Sequence, residues 1–525
     1  MSSDSPPHDP VTSAPEDSRA ESDKHPAVNL SDLQSIRRDK VEQLRAAGND
    51  PYPPRAHRSH TTTAALDRYQ EREATLSDDQ DHDQITLVGR IVSLRHMGKT
   101  VFAHLRDGHG ELQLYMRRDV LGDPAYDALL KLYDLGDFAQ ATGTLFRTKA
   151  GEISLRVELI TMLAKALNAP PEKWHGLTDV ELRYRQRYAD LIANAEVRQV
   201  FQIRSAAISA IRRFLDSHGY IEVETPALQP LYGGAAARPF VTRHHALDQD
   251  FYLRIADELY LKRLLVGGFE RVYEICKDFR NEGIDRNHSP EFTMLEFYEA
   301  YADYTTIMAT VEDLVRATAR ASLGTTTIDQ HGNAIDLEQT PWPRLTLREA
   351  IHMASGVDYG AHPEQASLLA AARKAGADVE AETVWPRIVD ELLKQFVRPT
   401  LIQPTFLIDY PVALSPLAKR KPEDPEHAER FQLFIGGGEI ANAFTELNDP
   451  LDQLARFQEQ ARDGAAGDEE AMPIDTDFVN ALMYGMPPTG GVGIGIDRLV
   501  MLLTGQASIR DVILFPAMRN LPADR

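Results

Sequence analysis

Residues 276–300 read CKDFRNEGIDRNHSPEFTMLEFYEA, and the rest of the chain is organised around them. The pattern predicts two strands joined by a polar loop. Arg280 and Glu282 stand at the end of the first strand. Asp285, Arg286 and His288 fill the loop, and Pro290 closes it. In the second strand Phe292, Met294, Glu296 and Tyr298 recur with period two, which puts all four on one face. That face carries an aromatic ring, a carboxylate and a phenol. A core strand has no use for Glu and Arg at this density, because unpaired buried charge is costly. The alternative is a solvated antiparallel hairpin, but here apolar and charged residues share a face.

Composition narrows the class. A chain of 525 residues is long enough for two or three domains with sizeable cores. No run of about 18 apolar residues occurs, so no membrane-spanning helix is expected. The polar start, MSSDSPPHDP, is unlike a secretory signal. The single cysteine, Cys276, excludes an internal disulfide framework and favours a reducing cytoplasm. Lys and Arg number 57 against 79 Asp and Glu, so the net charge is 57 − 79 = −22. Taken alone this argues against nucleic-acid binding, unless basic residues are locally concentrated while acidic charge elsewhere discourages nonspecific contacts.

Residues 1–30 are rich in Ser, Pro, Asp and His and read as a disordered tail. A helical extension is expected over 31–80. Its helix, 31–47, is capped by Ser31 and ended by Gly48, with Leu33, Ile36, Lys40, Val41 and Leu44 along one stripe. The basic residues Arg37, Arg38, Lys40 and Arg45 either touch an RNA backbone or form a solvated face. From 81 to 165 the pattern turns to short alternating strands: ITLVGRIVSLR, TVFAHLRD, GELQLYMR and ATGTLFRT. Four or five such strands with basic and aromatic residues suggest an OB-type β-barrel, a fold that stacks nucleic-acid bases on aromatic rings. Helical patterns such as LREAIHMASG and PRIVDELLKQF follow within 302–430.

Near the C-terminus EIANAFTELND presents Asn442, Phe444 and Glu446 on one strand face, with Glu439 out of phase unless a bulge intervenes or the strand starts earlier. GGVGIGIDRLVMLLTG predicts a glycine-rich strand ending at Asp497, a plausible cap, then a helix with Arg498 in its first turn. A guanidinium beside helix N–H groups suits phosphate. The G-x-G-x-G spacing, with no βαβ unit after it, is not a dinucleotide fingerprint.

FRNEG followed by HSPEFTMLEFYEAYADY resembles motif 2 of the class II aminoacyl-tRNA synthetases, and in detail that of the lysyl-tRNA synthetases. IRSAAISAIRRFLDSHGYIEVETPAL is similar to motif 1 and GGVGIGIDRLVMLLTG to motif 3, so the three signatures occur in order. The resemblance implies an α+β fold: a class II catalytic domain at 196–525, an antiparallel sheet flanked by helices with a helical insertion around 345–430. A linker at 166–195, containing RYRQRYADLIAN, joins it to an N-terminal OB-fold β-barrel, and the linker's arginines and tyrosines suit an RNA-facing or interdomain helix. It implies ATP-dependent attachment of L-lysine to tRNA(Lys) through a lysyl-adenylate, with AMP and pyrophosphate released. It also implies magnesium (Mg2+, up to three per active site), a homodimer built on motif 1, and a cytoplasmic location.

The resemblance further implies roles for single residues. Arg280 grips the ATP α-phosphate and the substrate carboxylate. Glu282 meets the adenine or the tRNA acceptor end, His288 the γ-phosphate, and Phe292 stacks on adenine. Arg498 neutralises phosphate charge. Gly234, in GGAAARPF, and Glu258 cradle the substrate α-ammonium. Glu446 and Tyr298 take the ε-ammonium, Glu296 lies near either, and Asn442 and Phe444 complete the pocket. In the barrel Phe102 stacks an anticodon base, with Arg95 and Gln113 reading its edge; otherwise Phe102 belongs to the barrel core. Metal falls to Glu439 and Gln432. A related enzyme that lysylates a protein would lack the barrel, and a noncatalytic RNA-binding paralogue would have lost motif residues that stand here.

Three positions depart from the family's pattern. Asn287 stands where an arginine is usual, and Arg286 is expected to reach the same phosphate. Met483 replaces a glutamate. Gln432 replaces one of two metal-binding carboxylates, with Glu429 the other candidate for the missing charge.

Overall fold

The computed structural model describes residues 31–76, 80–171, 177–381, 383–465 and 472–520. The tail expected at 1–30 lies outside the described residues. Two compact units emerge, Met1–Pro171 and Glu172–Arg525.

The first unit opens with α1 (Asp32–Ala46). Its start is a capping box, in which the Ser31 hydroxyl accepts from the Gln34 N–H and the Gln34 side chain accepts from the Ser31 N–H. Gly48, at φ +77°, turns the chain away. Val41 and Leu44 are buried, but Leu33 and Ile36 are exposed, so the predicted stripe is only half used. Arg37 turns inward and donates to the carbonyls of Leu135, Ala166 and Asn168. Lys40 pairs with Asp134 at 2.7 Å. Two of the four basic residues considered for RNA contact therefore serve the unit's own packing, while Arg38 and Arg45 stay on the surface. After the prolines comes α2 (Thr62–Glu73). Then β1 (Gln80–Met97), β2 (Thr100–Arg106), β3 (Glu111–Arg117), the helices α3 (Arg118–Leu121) and α4 (Asp123–Leu132), β4 (Phe138–Arg147) and β5 (Ile153–Ala164) follow. The strands close in the order β1-β2-β3-β5-β4. Val101, Ala103, Leu105, Leu112, Leu114 and Met116 fill the interior, as the period-two alternation requires.

In the second unit RYRQRYADLIAN forms α5 (Val180–Arg185) and α6 (Arg187–Ala193). Arg187 is 1% exposed. It pairs with Asp190 and donates to the carbonyls of Arg510 and Leu514. The Tyr184 hydroxyl donates to Asp511. These side chains brace the unit's own C-terminal segment, so the RNA-facing reading of Arg187 and Tyr184 is corrected: a guanidinium enclosed by carbonyls and a carboxylate is not free to meet phosphate.

Then come α7 (Ala195–Ser217), β6 (Ile221–Glu222), β7 (Leu228–Gln229), β8 (Val241–His244), β9 (Gln249–Leu253), α8 (Glu258–Val266), β10 (Arg271–Phe279), β11 (Glu291–Ala300), α9 (Tyr304–Leu323) and the pair β12 (Thr327–Gln330) and β13 (Asn333–Asp336). They are followed by β14 (Arg344–Thr346), α10 (Leu347–Ser355), α11 (Gln365–Lys374), α12 (Trp385–Leu392), β15 (Thr405–Pro411), β16 (His427–Ile435), β17 (Gly438–Thr445), α13 (Pro450–Ala465), α14 (Thr476–Met483), β18 (Thr489–Gly495) and α15 (Ile496–Thr504). The main sheet has eight strands in the order β14-β15-β16-β17-β18-β11-β10-β6, antiparallel except for the edge pairs β14–β15 and β10–β6. Helices α7, α9 and α15 cover one face. Their apolar residues pack on Leu295, Phe297, Ala441, Ala443, Val492 and Ile494. The insertion helices α10, α11 and α12 gather a core of their own around Ile351, Leu368, Ile388 and Leu392. The opposite face of the central strands carries the site, with α8 packed over part of it at Val272 and Tyr298.

Candidate active site

Alternation and register build the floor. Phe297 and Leu295 point to the helices, so Met294, Glu296 and Tyr298 point the other way. In β17 Ala441 and Ala443 take the helix side, leaving Asn442 and Phe444 on the site side. In β18 Val492 and Ile494 do the same for Gly491 and Gly493. Pairing then aligns two rows: Gln432, Asn442, Gly493, Glu296 and Glu274, and beside it Arg430, Phe444, Gly491, Tyr298 and Val272. Glu439 joins the site through a register shift between Leu433 and Phe434 opposite β17, a bulge being one of the two solutions its phase in the sequence allowed. The cavity over this floor holds about 340 Å³ and is lined by Gly234, Glu258, Arg280, Glu282, His288, Phe292, Glu296, Tyr298, Asn442, Phe444, Glu439 and Arg498, among others.

The mouth is basic. The Arg280 guanidinium lies 5.1 Å from the Phe292 ring centre, so the plate and the cation expected to grip a nucleotide already face each other. His288 Nδ1 lies 2.8 Å from Asp285 Oδ2, and its Nε2 lies 3.2 Å from Arg498 Nη2. Arg498 is a permanent donor, so Nε2 accepts and Nδ1 carries the proton. The loop after β10 and the start of α15 are thus tied together. Asn287 lines the cavity, whereas Arg286 does not: its carbonyl accepts from Ile509 and its side chain is exposed. Asp497 is not a cap either. β18 ends at Gly495, and the Asp497 carboxylate accepts instead from Arg204 and the Thr293 N–H.

The inner end is acidic. Gly234 has φ +88°, and a Cβ there would come within 3.0 Å of the Ala256 methyl and 3.3 Å of Glu258 Cβ, so backbone and Glu258 approach closely only with glycine. Glu258 opens α8. Tyr298 donates to Glu296 at 2.7 Å. Burial first, then the charge of Asp257, holds the Glu296 carboxyl well above the usual range. Glu446, 1% exposed, does not line the cavity. Its carboxylate crowds Gly491 together with the Tyr298 ring. Glu258 and Glu446 also meet a residue that the sequence reading passed over: Lys262, fully buried, lies 2.5 Å from Glu258 Oε1 and pairs with Glu446 Oε2. Burial pushes Glu446 up to about 8, with Lys262 opposing the rise. Arg430, also missed, stacks 4.6 Å over Tyr410 and donates to Asn442 Oδ1 at 2.9 Å. The i, i+4 spacing of Glu258 and Lys262 on one helix was a readable signal; the approach of Arg430 to Asn442 was not, because it depends on strand register.

A sequence profile described as tRNA synthetases class II (D, K and N) matches residues 179–519, and one described as an OB-fold nucleic acid binding domain matches 85–163. The chain is 55% identical over 494 residues to a lysine–tRNA ligase of Chloroflexus aurantiacus, covering 94% of this chain and 99% of that one. It is 50% identical over 491 residues to the lysine–tRNA ligase of Enterococcus faecalis, covering 94% and 98%. The chain belongs to the class II lysyl-tRNA synthetases. As a member it is a ligase that attaches lysine to tRNA.

Lysyl-tRNA synthetases need a divalent metal, and the residues here fit one in a lopsided way. Glu439 lines the cavity, with Oε2 3.7 Å from Arg498 Nη1. The Gln432 amide oxygen accepts from the Tyr410 hydroxyl at 2.6 Å. Neither Gln432 nor Glu429 lines the cavity; Gln432 shares the site face of β16 with Arg430, and Glu429 lies on the other face with Phe431. One carboxylate, here Glu439, suffices for a hard cation that draws its other ligands from phosphates and water. Among the described residues, carboxyl oxygens of Asp257, Asp278 and Glu296 also come within 4.8 Å of one another; of these three only Glu296 lines the cavity. Met483 is exposed at the end of α14, and nothing in the structure explains it.

On the barrel's outer face Phe102, Tyr115 and Phe146 form a ladder with ring centres 5.2 Å apart at each step, and Arg156 lies 4.8 Å from the Phe146 ring. Phe102 is half-buried and outside the core, which removes the alternative of an interior role. Arg95 is exposed directly across from it. Gln113 is buried, with Nε2 donating to Glu152 at 2.6 Å and Oε1 accepting from Ser154 at 2.9 Å. Glu152, which the sequence reading missed, thus orients that amide.

Proposed function

We propose that the cavity activates lysine and that the barrel reads the tRNA(Lys) anticodon. The observation that carries this reading is the charge order along one sheet face: guanidinium groups at the mouth, buried carboxylates within. In the first step the lysine carboxylate attacks the ATP α-phosphorus, the bond to the β-phosphate breaks, and pyrophosphate leaves. Arg280 holds the α-phosphate and the substrate carboxylate with forked donors. Arg498 and His288 take the outer phosphates, Phe292 supports adenine, and Glu282 meets adenine or the acceptor end. In the second step the terminal ribose hydroxyl attacks the adenylate carbonyl and AMP leaves. Positioning and charge neutralisation dominate. Magnesium, up to three ions in this reading, would be held by Glu439 and, directly or through water, by Gln432, and it neutralises phosphate charge.

Selectivity in this reading comes from matching two ammonium groups. Gly234 and Glu258 receive the α-ammonium, Glu446 and Tyr298 receive the ε-ammonium, and Glu296 lies near either, with Asn442 and Phe444 flanking them. A substrate that leaves these buried groups unpaired is rejected on the order of 10⁴-fold. Arg95, Phe102 and Gln113 contact the anticodon. The reading includes a homodimer, supported by exposed Ile221, Leu228, Val241 and Leu247 in and after motif 1, and a cytoplasmic location, supported by the free thiol of Cys276. The test is ATP–pyrophosphate exchange with each of the twenty amino acids. Strong exchange with lysine alone supports the reading, and preference for another amino acid overturns it.

A further inference from the structure

Lys262 has no part in the proposed reaction, yet it occupies a telling place. It is 0% exposed and one helical turn after Glu258 on α8. Its ammonium lies 2.5 Å from Glu258 Oε1, pairs with Glu446 Oε2 just past the end of β17, and sits 5.6 Å from the Phe444 ring centre. Burial disfavours its charge, but Glu258 and Glu446 outweigh that and hold its pKa above the ordinary lysine value, so it stays an ammonium. The two carboxylates it joins come from different elements, and they are the ones assigned to opposite ends of the substrate. Without a cation between them, two buried carboxylates would repel, and one would take up a proton or move away. Neither Glu446 oxygen accepts a hydrogen bond among the described residues; Oε2 is held only by its ion pair to Lys262, and Oε1 stays open.

We propose that Lys262 is a positioning residue that splints Glu258 to Glu446 and thereby sets the length of diamino acid the pocket accepts. Lys262 is absent from the cavity wall; so is Glu446, but its Oε1 stands against Gly491, which lines that wall. Lys262 fixes where the two carboxylates stand, and a substrate whose ammonium groups are separated by one methylene fewer reaches only one of them. The proposal rests on the assignment of Glu258 and Glu446 to the two ammonium groups.

The experiment measures pyrophosphate exchange with lysine and with ornithine, one methylene shorter, in the full-length enzyme and in Lys262→Met, a neutral side chain of similar length. The expected result is a KM for lysine raised at least about tenfold and a lysine-to-ornithine preference narrowed at least about tenfold, the scale of one methylene of discrimination, with the KM for ATP unchanged. A folded Lys262→Met enzyme whose preference stays within about twofold of the parent overturns the proposal, as does an equal loss of kcat for both amines with no change in their ratio. If Lys262→Met does not accumulate as folded protein, Lys262→Arg decides. Its longer, forked cation must change the ratio at least about fivefold, and an unchanged ratio overturns the splint. Failure of the parent enzyme to activate lysine would refute the functional reading itself, and the parent's own exchange profile reports that separately.

Discussion

Gly491→Ala tests the packing of the inner pocket at one atom. A Cβ built on Gly491 would lie 2.2 Å from Glu446 Oε1 and 2.3 Å from Tyr298 Cε1. Neither neighbour yields easily. Tyr298 is 2% exposed and bonded to Glu296, and Glu446 is paired with Lys262. The backbone cannot retreat either, since β18 is paired to β17 on one side and β11 on the other. Overpacking of this kind costs about 1–3 kcal/mol, and here the strain falls on the groups assigned to the ε-ammonium. The expected outcome is a melting temperature lower by on the order of 5 °C and a lysine KM raised roughly tenfold or more, a loss of about 1.4 kcal/mol, with the ATP KM little changed. Gly493→Ala is the internal control: its Cβ would meet nothing closer than 3.7 Å, so its melting temperature should stay within about 2 °C of the parent's. Thermal unfolding and exchange kinetics read both variants. If Gly491→Ala melts with Gly493→Ala and keeps the parent's lysine KM, the described crowding of Glu446 and Tyr298 is wrong.

Gln432→Glu should half-saturate at several-fold lower magnesium in adenylate formation, because a carboxylate attracts the cation more strongly than an amide, whereas Glu429→Gln should not shift; the reverse pattern would move the second ligand to Glu429. Phe102→Ala should weaken tRNA binding by about 1–3 kcal/mol and spare tRNA-independent exchange, and equal damage to both would mean a structural role. Glu446→Gln should lower lysine activation by roughly 10²-fold or more, and normal activation would remove Glu446 from the pocket.

The site face of β11 was legible because alternation is a local property: Phe292, Met294, Glu296 and Tyr298 must share a face once the segment is a strand. The same logic found Asn442 and Phe444 and required a bulge or an earlier strand start to admit Glu439, between which the register of β16 and β17 decided. Motif residues at the mouth were legible from resemblance, and the structure brings Arg280, His288, Phe292 and Arg498 around one cavity. Where local reasoning erred, a distant partner had taken over. Arg37 looked like a surface cation until carbonyls near 135 and 166 claimed it. Arg187 is held by carbonyls more than three hundred residues away. Asp497 caps nothing because Arg204 and Thr293 reach it first.

The sequence by itself determined the strand alternation, the cap and stop of α1, the order of three signature motifs, and hence the fold class and the chemistry at the cavity mouth. These depend on neighbours a few residues apart, whose geometry the backbone repeats everywhere. Only the tertiary structure decided that Glu446 stands over Gly491 rather than on the cavity wall, that Glu152 holds Gln113, and that one buried ammonium joins Glu258 to Glu446. A buried charge takes whichever opposite charge the fold brings within reach, and residues 262 and 446 meet only because a helix and a strand end are packed together.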